Sequence, residues 1–215
     1  MTGTAKIKVR AGRVVGAAVG VCLLLAALAW AWRGWRRGGP AIPARTEEPG
    51  PTFCLPVVPI YLQTDRRWAG ERVGGSGETL RAVGCTVCCL SMALAQHGVD
   101  LRPGELNEKL RAADGYTQSG RVIWSAITAV TGGKVEADVP RHPTHARINA
   151  ALDAGNPVIA KVRLAGGTAH WVLVVGREGR EYLVKDPLGD GLDLDKLSKF
   201  GSGIHAIRIV RRGSG

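Results

Sequence analysis

Acidic residues are absent from the first 45 positions, and residues 14–32 carry no charge of either sign. The first absence accounts for most of the formal net charge of +11. Eight of the 29 Lys and Arg lie in residues 1–45, leaving 21 against all 18 Asp and Glu, a net of +3 for the rest. A basic footprint of the kind that binds nucleic acid is thereby excluded for the bulk of the chain. A second Cys-x-x-Cys and a suitably spaced His pair are also missing. Closed zinc sites draw ligand pairs from two segments, so Cys85, Cys88, Cys89 and His97 do not read as one. No internal repeat is visible.

The uncharged run 14–32 is bracketed by Arg13 and Arg33, with Trp30, Trp32 and Trp35 at its far edge. Its length is close to the ~20 residues that cross a bilayer as a helix, and the indoles suit the interface. We read it as a transmembrane anchor in preference to a signal peptide cleaved after Ala27-Leu28-Ala29. Lys6, Lys8, Arg10 and Arg13 before the span slightly outweigh Arg33, Arg36 and Arg37 after it, which puts the N-terminus in the cytoplasm and the bulk of the protein outside. Secretion after cleavage is the alternative. The chain then divides into a basic arm 1–13, an anchor 14–32, a Pro- and Gly-rich linker 33–52 and one domain 53–215.

Within the domain, helical patterns come first, over 85–97, 101–113, 122–130 and 146–154. Gly98, Gly132-Gly133 and Gly155 stop three of them. β-Branched runs at 157–164, 170–175, 181–185 and 204–210 follow, parted by Gly-rich turns. Helices followed by strands indicate an α+β domain rather than alternating βαβ units.

The chemistry centres on Cys85, directly after Gly84 at the mouth of the uncharged helix 85–97. A helix N-terminus favours negative charge, the condition a nucleophilic thiol needs. His170 opens one predicted strand and Asp186 closes the next, so a base and an orienting acid follow in order. Cys88 and Cys89, one turn inside the helix, read as packing residues or disulfide partners. Cys54 has either of them as a candidate partner in an oxidising compartment. Trp68, Trp124, His97 and His205 read as structural.

A helix-start cysteine, a strand histidine and a following aspartate stand in the chain order of papain-like enzymes. The runs Leu62-Gln63-Thr64-Asp65-Arg66-Arg67-Trp68-Ala69, Val83-Gly84-Cys85-Thr86, Ser91-Met92-Ala93-Leu94, Gly155-Asn156-Pro157-Val158-Ile159, His170-Trp171-Val172 and Asp186-Pro187 are more specific. Together they resemble the stand-alone domains related to cysteine peptidase family thirty-nine, the bacteriocin-processing, double-glycine leader peptidases. The resemblance implies a papain-like fold, with a helical part carrying Cys85 and an antiparallel sheet carrying His170 and Asp186. It further implies Cys85 as nucleophile, His170 as general base, Asp186 as the group orienting the imidazole, and Gln63 as an oxyanion donor beside the Cys85 N–H. The run Thr86-Val87-Cys88-Cys89 departs from the family's usual pattern, leaving the nucleophile in place but not the identity of the adjoining pocket.

The expectation is a membrane-anchored thiol peptidase acting on a peptide or protein substrate, with no metal or cofactor and no nucleic-acid partner. Oligomeric state is left open. Two rivals share the fold, an exported hydrolase or amidase of peptidoglycan peptides and a catalytically silent peptide-binding domain.

Overall fold

The computed structural model describes residues 40–56 and 59–214. The anchor expected at 14–32 and the basic arm lie outside the described residues. Among the described residues, no helix is long and apolar enough to cross a membrane.

The architecture is α+β around one antiparallel sheet. Its strands are β1 (Arg45–Cys54), β2 (Val135–Asp138), β3 (Val158–Arg163), β4 (Ala169–Lys185), β5 (Asp195–Lys196) and β6 (Ala206–Arg212). They lie in the order β1-β4-β3-β6-β2, with β5 paired to β4 off that path. Among the described residues, five helices complete it: α1 (Leu80–Val83), α2 (Cys85–Gln96), α3 (Pro103–Ala112), α4 (Ala126–Val130) and α5 (His145–Asp153), with a 3₁₀ turn at Leu197–Phe200.

Helix α2 holds no charged residue, and nine of its twelve side chains are buried, from Cys85 through Leu94. A helix apolar on all sides must lie inside the protein. Here Leu90, Met92 and Leu94 pack with Ile159, Leu173, Val175 and Val210 of the sheet. Each such large side chain contributes roughly 1.5–3 kcal/mol on burial. Gly98, at φ +76°, turns the chain out of the helix. The other sheet face buries Val158, Ala160, Val162, Val172, Val174 and Ile207 against Ile148 and Leu152 of α5. The sheet is thus covered on both faces, and α2 is pressed along one of them.

The runs 170–175 and 181–185 both lie within the 17-residue span of β4 and form its two arms, because an unturned strand of that length would part its ends by about 50 Å, whereas His170 and Asp186 meet at 2.7 Å. The chain doubles back near Gly179, at φ +57°. A side chain on Gly176, ahead of that turn, would run into the Phe53 carbonyl, so this glycine lets β1 approach β4 closely. Three elements differ from the sequence reading. Residues 45–54, which fall largely in the stretch read as linker, form β1. Pro49 and Pro51 are tolerated because β1 pairs on one side only, as an irregular edge strand. The helix read at 122–130 is confined to Ala126–Val130, because Val122 bridges Tyr116 in extended form. Strand β2, with Glu136 and Asp138 in four residues, carries too little pattern to be found by periodicity.

Candidate active site

Chain geometry at Gly84 sets the position of Cys85. Gly84 N–H donates to the Leu80 carbonyl at 2.8 Å, closing α1, and α2 starts at the next residue. A side chain on Gly84 would collide with that same carbonyl oxygen, so only glycine fits this junction. Cys85 is left at the first position of α2, 9 % exposed, while Cys88 and Cys89 are sealed in the core. The three neighbouring thiols therefore differ in environment. Burial pushes the Cys88 and Cys89 thiols well above the ordinary thiol range. The Cys89 thiol donates to the Trp171 carbonyl at 3.3 Å. Cys54, Cys85, Cys88 and Cys89 are all free thiols, so the disulfide left open for Cys54 is not formed, and Cys54 is exposed on β1.

His170 sits near the start of β4, opposite Val162 of β3, and is 2 % exposed. Its Nε2 lies 2.7 Å from Asp186 Oδ1. Cys85 is its other close polar neighbour. With Nε2 committed to Asp186, the ring nitrogen left toward Cys85 is Nδ1. Phe200 covers the imidazole, ring centres 5.8 Å apart. Burial alone would lower the His170 pKa, but the hydrogen bonds from Asp186 and Cys85 outweigh it and raise the pKa to about 9.

Asp186, 6 % exposed, directly follows β4. Burial would raise its pKa, but its hydrogen bonds prevail and hold it down at about 2. Its Oδ1 accepts from His170 and from the Leu188 N–H at 2.9 Å, and its Oδ2 meets Lys199 Nζ at 2.8 Å. Both carboxylate oxygens are thus tied to donors, which fixes the plane in which the group meets the imidazole.

Gln63 is strung between two walls of this site. Its backbone N–H donates to the Pro187 carbonyl at 3.0 Å, next to Asp186. Its side-chain Nε2 donates to the Arg81 carbonyl at 2.6 Å, in the short helix α1 that leads into Cys85. One amide hydrogen is therefore committed to Arg81 and the second remains for another acceptor. Its Oε1 is buried without a partner.

The structure thus brings Cys85, His170 and Asp186 together, with His170 hydrogen-bonded to Asp186 and next to Cys85, and ties Gln63 to the segments on either side. His97 is elsewhere, its Nε2 2.9 Å from the Val210 carbonyl. Among the described residues, no three His, Cys, Asp or Glu side chains cluster as metal ligands would. Sequence reasoning missed Lys199, which bridges Asp186 and Asp195 at 2.8 and 2.7 Å. The i, i+4 spacing of Asp195 and Lys199 was the available signal, but the contact with Asp186 depends on how the 3₁₀ turn packs against β4.

A family model described as Peptidase_C39 like family matches residues 57–200, more than half of the chain. No curated protein matches the chain. Among solved structures, that of a candidate C39-like peptidase from Bacillus anthracis is similar at 17 % identity and a TM-score of 0.49. The alignment covers 77 % of this chain and 100 % of that one.

Proposed function

The chain belongs to the Peptidase_C39 like family, and from that premise we propose a papain-like thiol peptidase working through Cys85. The observation that carries this reading is the row Cys85–His170–Asp186, in which a raised imidazole pKa keeps His170 protonated beside the thiol at neutral pH. The nucleophile is the Cys85 thiolate facing the His170 imidazolium, a pair that holds one proton between them. Cys85 Sγ attacks the substrate carbonyl carbon, and the carbonyl π electrons move to oxygen. The Cys85 backbone N–H and the uncommitted hydrogen of the Gln63 amide receive that oxyanion. Collapse of the intermediate breaks the C–N bond as His170 gives its proton to the leaving amine. His170, now neutral, takes a proton from the incoming water, which hydrolyses the thioester and restores Cys85. Asp186 stays ionised throughout and holds the ring with Nδ1 toward sulfur.

Incubation of the full chain with a random peptide library and with purified peptidoglycan, read by mass spectrometry, tests the reading. New amine termini that vanish with Cys85→Ala support it, and the responding substrate separates a peptidase from a cell-wall hydrolase. Gln63→Ala should lower kcat by about 10²–10³ while leaving alkylation of Cys85 in place. Cleavage that survives Cys85→Ala, or no cleavage of either material, contradicts it, the latter favouring a silent peptide-binding domain.

We also place the domain outside the cytoplasm, held by residues 14–32. The uncharged length and the flanking Arg and Trp residues support this. Alkaline extraction of membranes that releases the chain into the soluble fraction would contradict it.

A further inference from the structure

A second group of side chains lies on the sheet face covered by α2. Lys161 of β3 pairs with Trp171 of β4, and Arg208 of β6 pairs with Ile159, two residues before Lys161. The three side chains therefore share one face. Trp124, from the loop before α4, meets Trp171 with ring centres 6.0 Å apart. The Arg208 guanidinium lies over both indoles, 5.2 Å from Trp124 and 5.3 Å from Trp171, and Lys161 Nζ is 6.0 Å from Trp171. Trp171 directly follows His170. Its carbonyl holds the Cys89 thiol, one helical turn beyond Cys85.

Among the described residues, the cations in this group have no counter-ion. None of the ion pairs formed among the described residues includes Arg121, Lys161, Arg163 or Arg208. Arg208 spends one donor on the Ile207 carbonyl at 2.6 Å, while its Nε is buried and unpartnered. Lys161 feels burial first and then the like charges of Arg163, Arg121 and Arg208, all of which disfavour its charged form. Like charges gathered in a half-buried place are costly unless an anion completes them, and an unmet guanidinium donor costs more. Two indoles holding one guanidinium plane leave a rigid fork of the kind that matches a carboxylate.

We propose that Arg208 and Lys161, framed by Trp124 and Trp171, form a subsite that binds a substrate carboxylate close to the scissile bond. The peptidase would then select peptides carrying an acidic side chain or a free C-terminus at that place. This rests on the peptidase reading, and it gives Trp124 and Trp171 a role in substrate contact beyond packing.

The test uses the full chain carrying Cys85→Ala, so that binding is read without turnover. Three pools of fluorescein-labelled random decapeptides are compared by anisotropy. One has no acidic residue and an amidated end, one adds Glu internally, and one has a free carboxyl terminus. At least one carboxylate pool should bind on the order of tenfold tighter than the uncharged pool. Whichever pool responds identifies a side-chain or terminal carboxylate as the ligand. Arg208→Gln and Lys161→Gln should each abolish most of that preference, and Lys161→Glu should turn it toward Lys-containing peptides. Because Arg208 is half-buried, the more accessible Lys161 keeps the test decisive should Arg208→Gln unfold. Equal binding of all pools, or a preference that survives the Lys161 substitutions, overturns the subsite. Cleavage by the unmodified chain without such a preference also overturns it while leaving the peptidase reading intact. Carboxylate-selective binding with no cleavage of any pool upholds the subsite and overturns the peptidase.

Discussion

Lys199 is the residue whose role the row of site residues makes most testable. Its ammonium holds Asp186 Oδ2, and Asp186 in turn orients His170. We expect Lys199→Met to lower kcat/KM about tenfold, the worth of one hydrogen bond to a charged group. The loss should fall in kcat rather than KM, because Lys199 touches Asp186 and not the substrate. It should also move the acidic limb of the pH profile upward, since Lys199 is among the groups holding the Asp186 pKa down. An unchanged acidic limb would reduce Lys199 to a surface ion pair. At this scale the sequence was legible where order alone carries meaning: Cys85, His170 and Asp186 stand in the order that papain-like chemistry uses. Lys199 was not, because nothing in its neighbours announces a contact made through folding.

The junction between α1 and α2 is where one glycine governs the site. Gly84 closes one helix and opens the next, and any side chain there meets the Leu80 carbonyl. Gly84→Ala should lower stability by about 1–3 kcal/mol in urea titrations, through backbone displacement rather than lost packing. It should lower Cys85 alkylation as well, whereas Gly98→Ala, at the far end of α2, should cost stability alone through its φ of +76°. Helix α2 was readable because an uncharged run ending in glycine admits few other structures. Strand β1 was hidden by Pro49 and Pro51, which look like linker until an edge position accommodates them. The two nearby glycines serve different ends, close approach of β1 at Gly176 and reversal of the chain near Gly179, at φ +57°. Partners distant in sequence place β1 against β4, and no local pattern records them.

For the molecule as a whole, the buried His170–Asp186 pair links protonation to stability. His170 has its pKa raised, so its contribution is complete below the ordinary value of 6.5 and disappears as pH climbs through about 9. Asp186 has its pKa lowered, so its contribution is complete above 3.8 and disappears as pH falls through about 2. Unfolding free energy from urea titrations should therefore decline between pH 6.5 and 9, by about 3 kcal/mol at most from His170. The decline should be smaller in His170→Ala, and an identical decline in that variant would assign it to other groups. The α+β class was legible because helical and strand patterns segregate along the chain. The sheet order β1-β4-β3-β6-β2 was not, since it depends on long-range pairings that bring the C-terminal strand between β3 and β2. That order nevertheless matters to function, because it sets Arg208 and Lys161 on the face that carries the Cys85 helix.

The central claim is that Cys85 is a nucleophile activated by His170. Alkylation by iodoacetamide at pH 7, resolved residue by residue by peptide mass spectrometry, tests it most directly. Cys85 should react on the order of 10²-fold faster than the sealed thiols of Cys88 and Cys89, and His170→Ala should remove most of its rate. Equal rates at the three cysteines, with no effect of His170→Ala, would contradict the account.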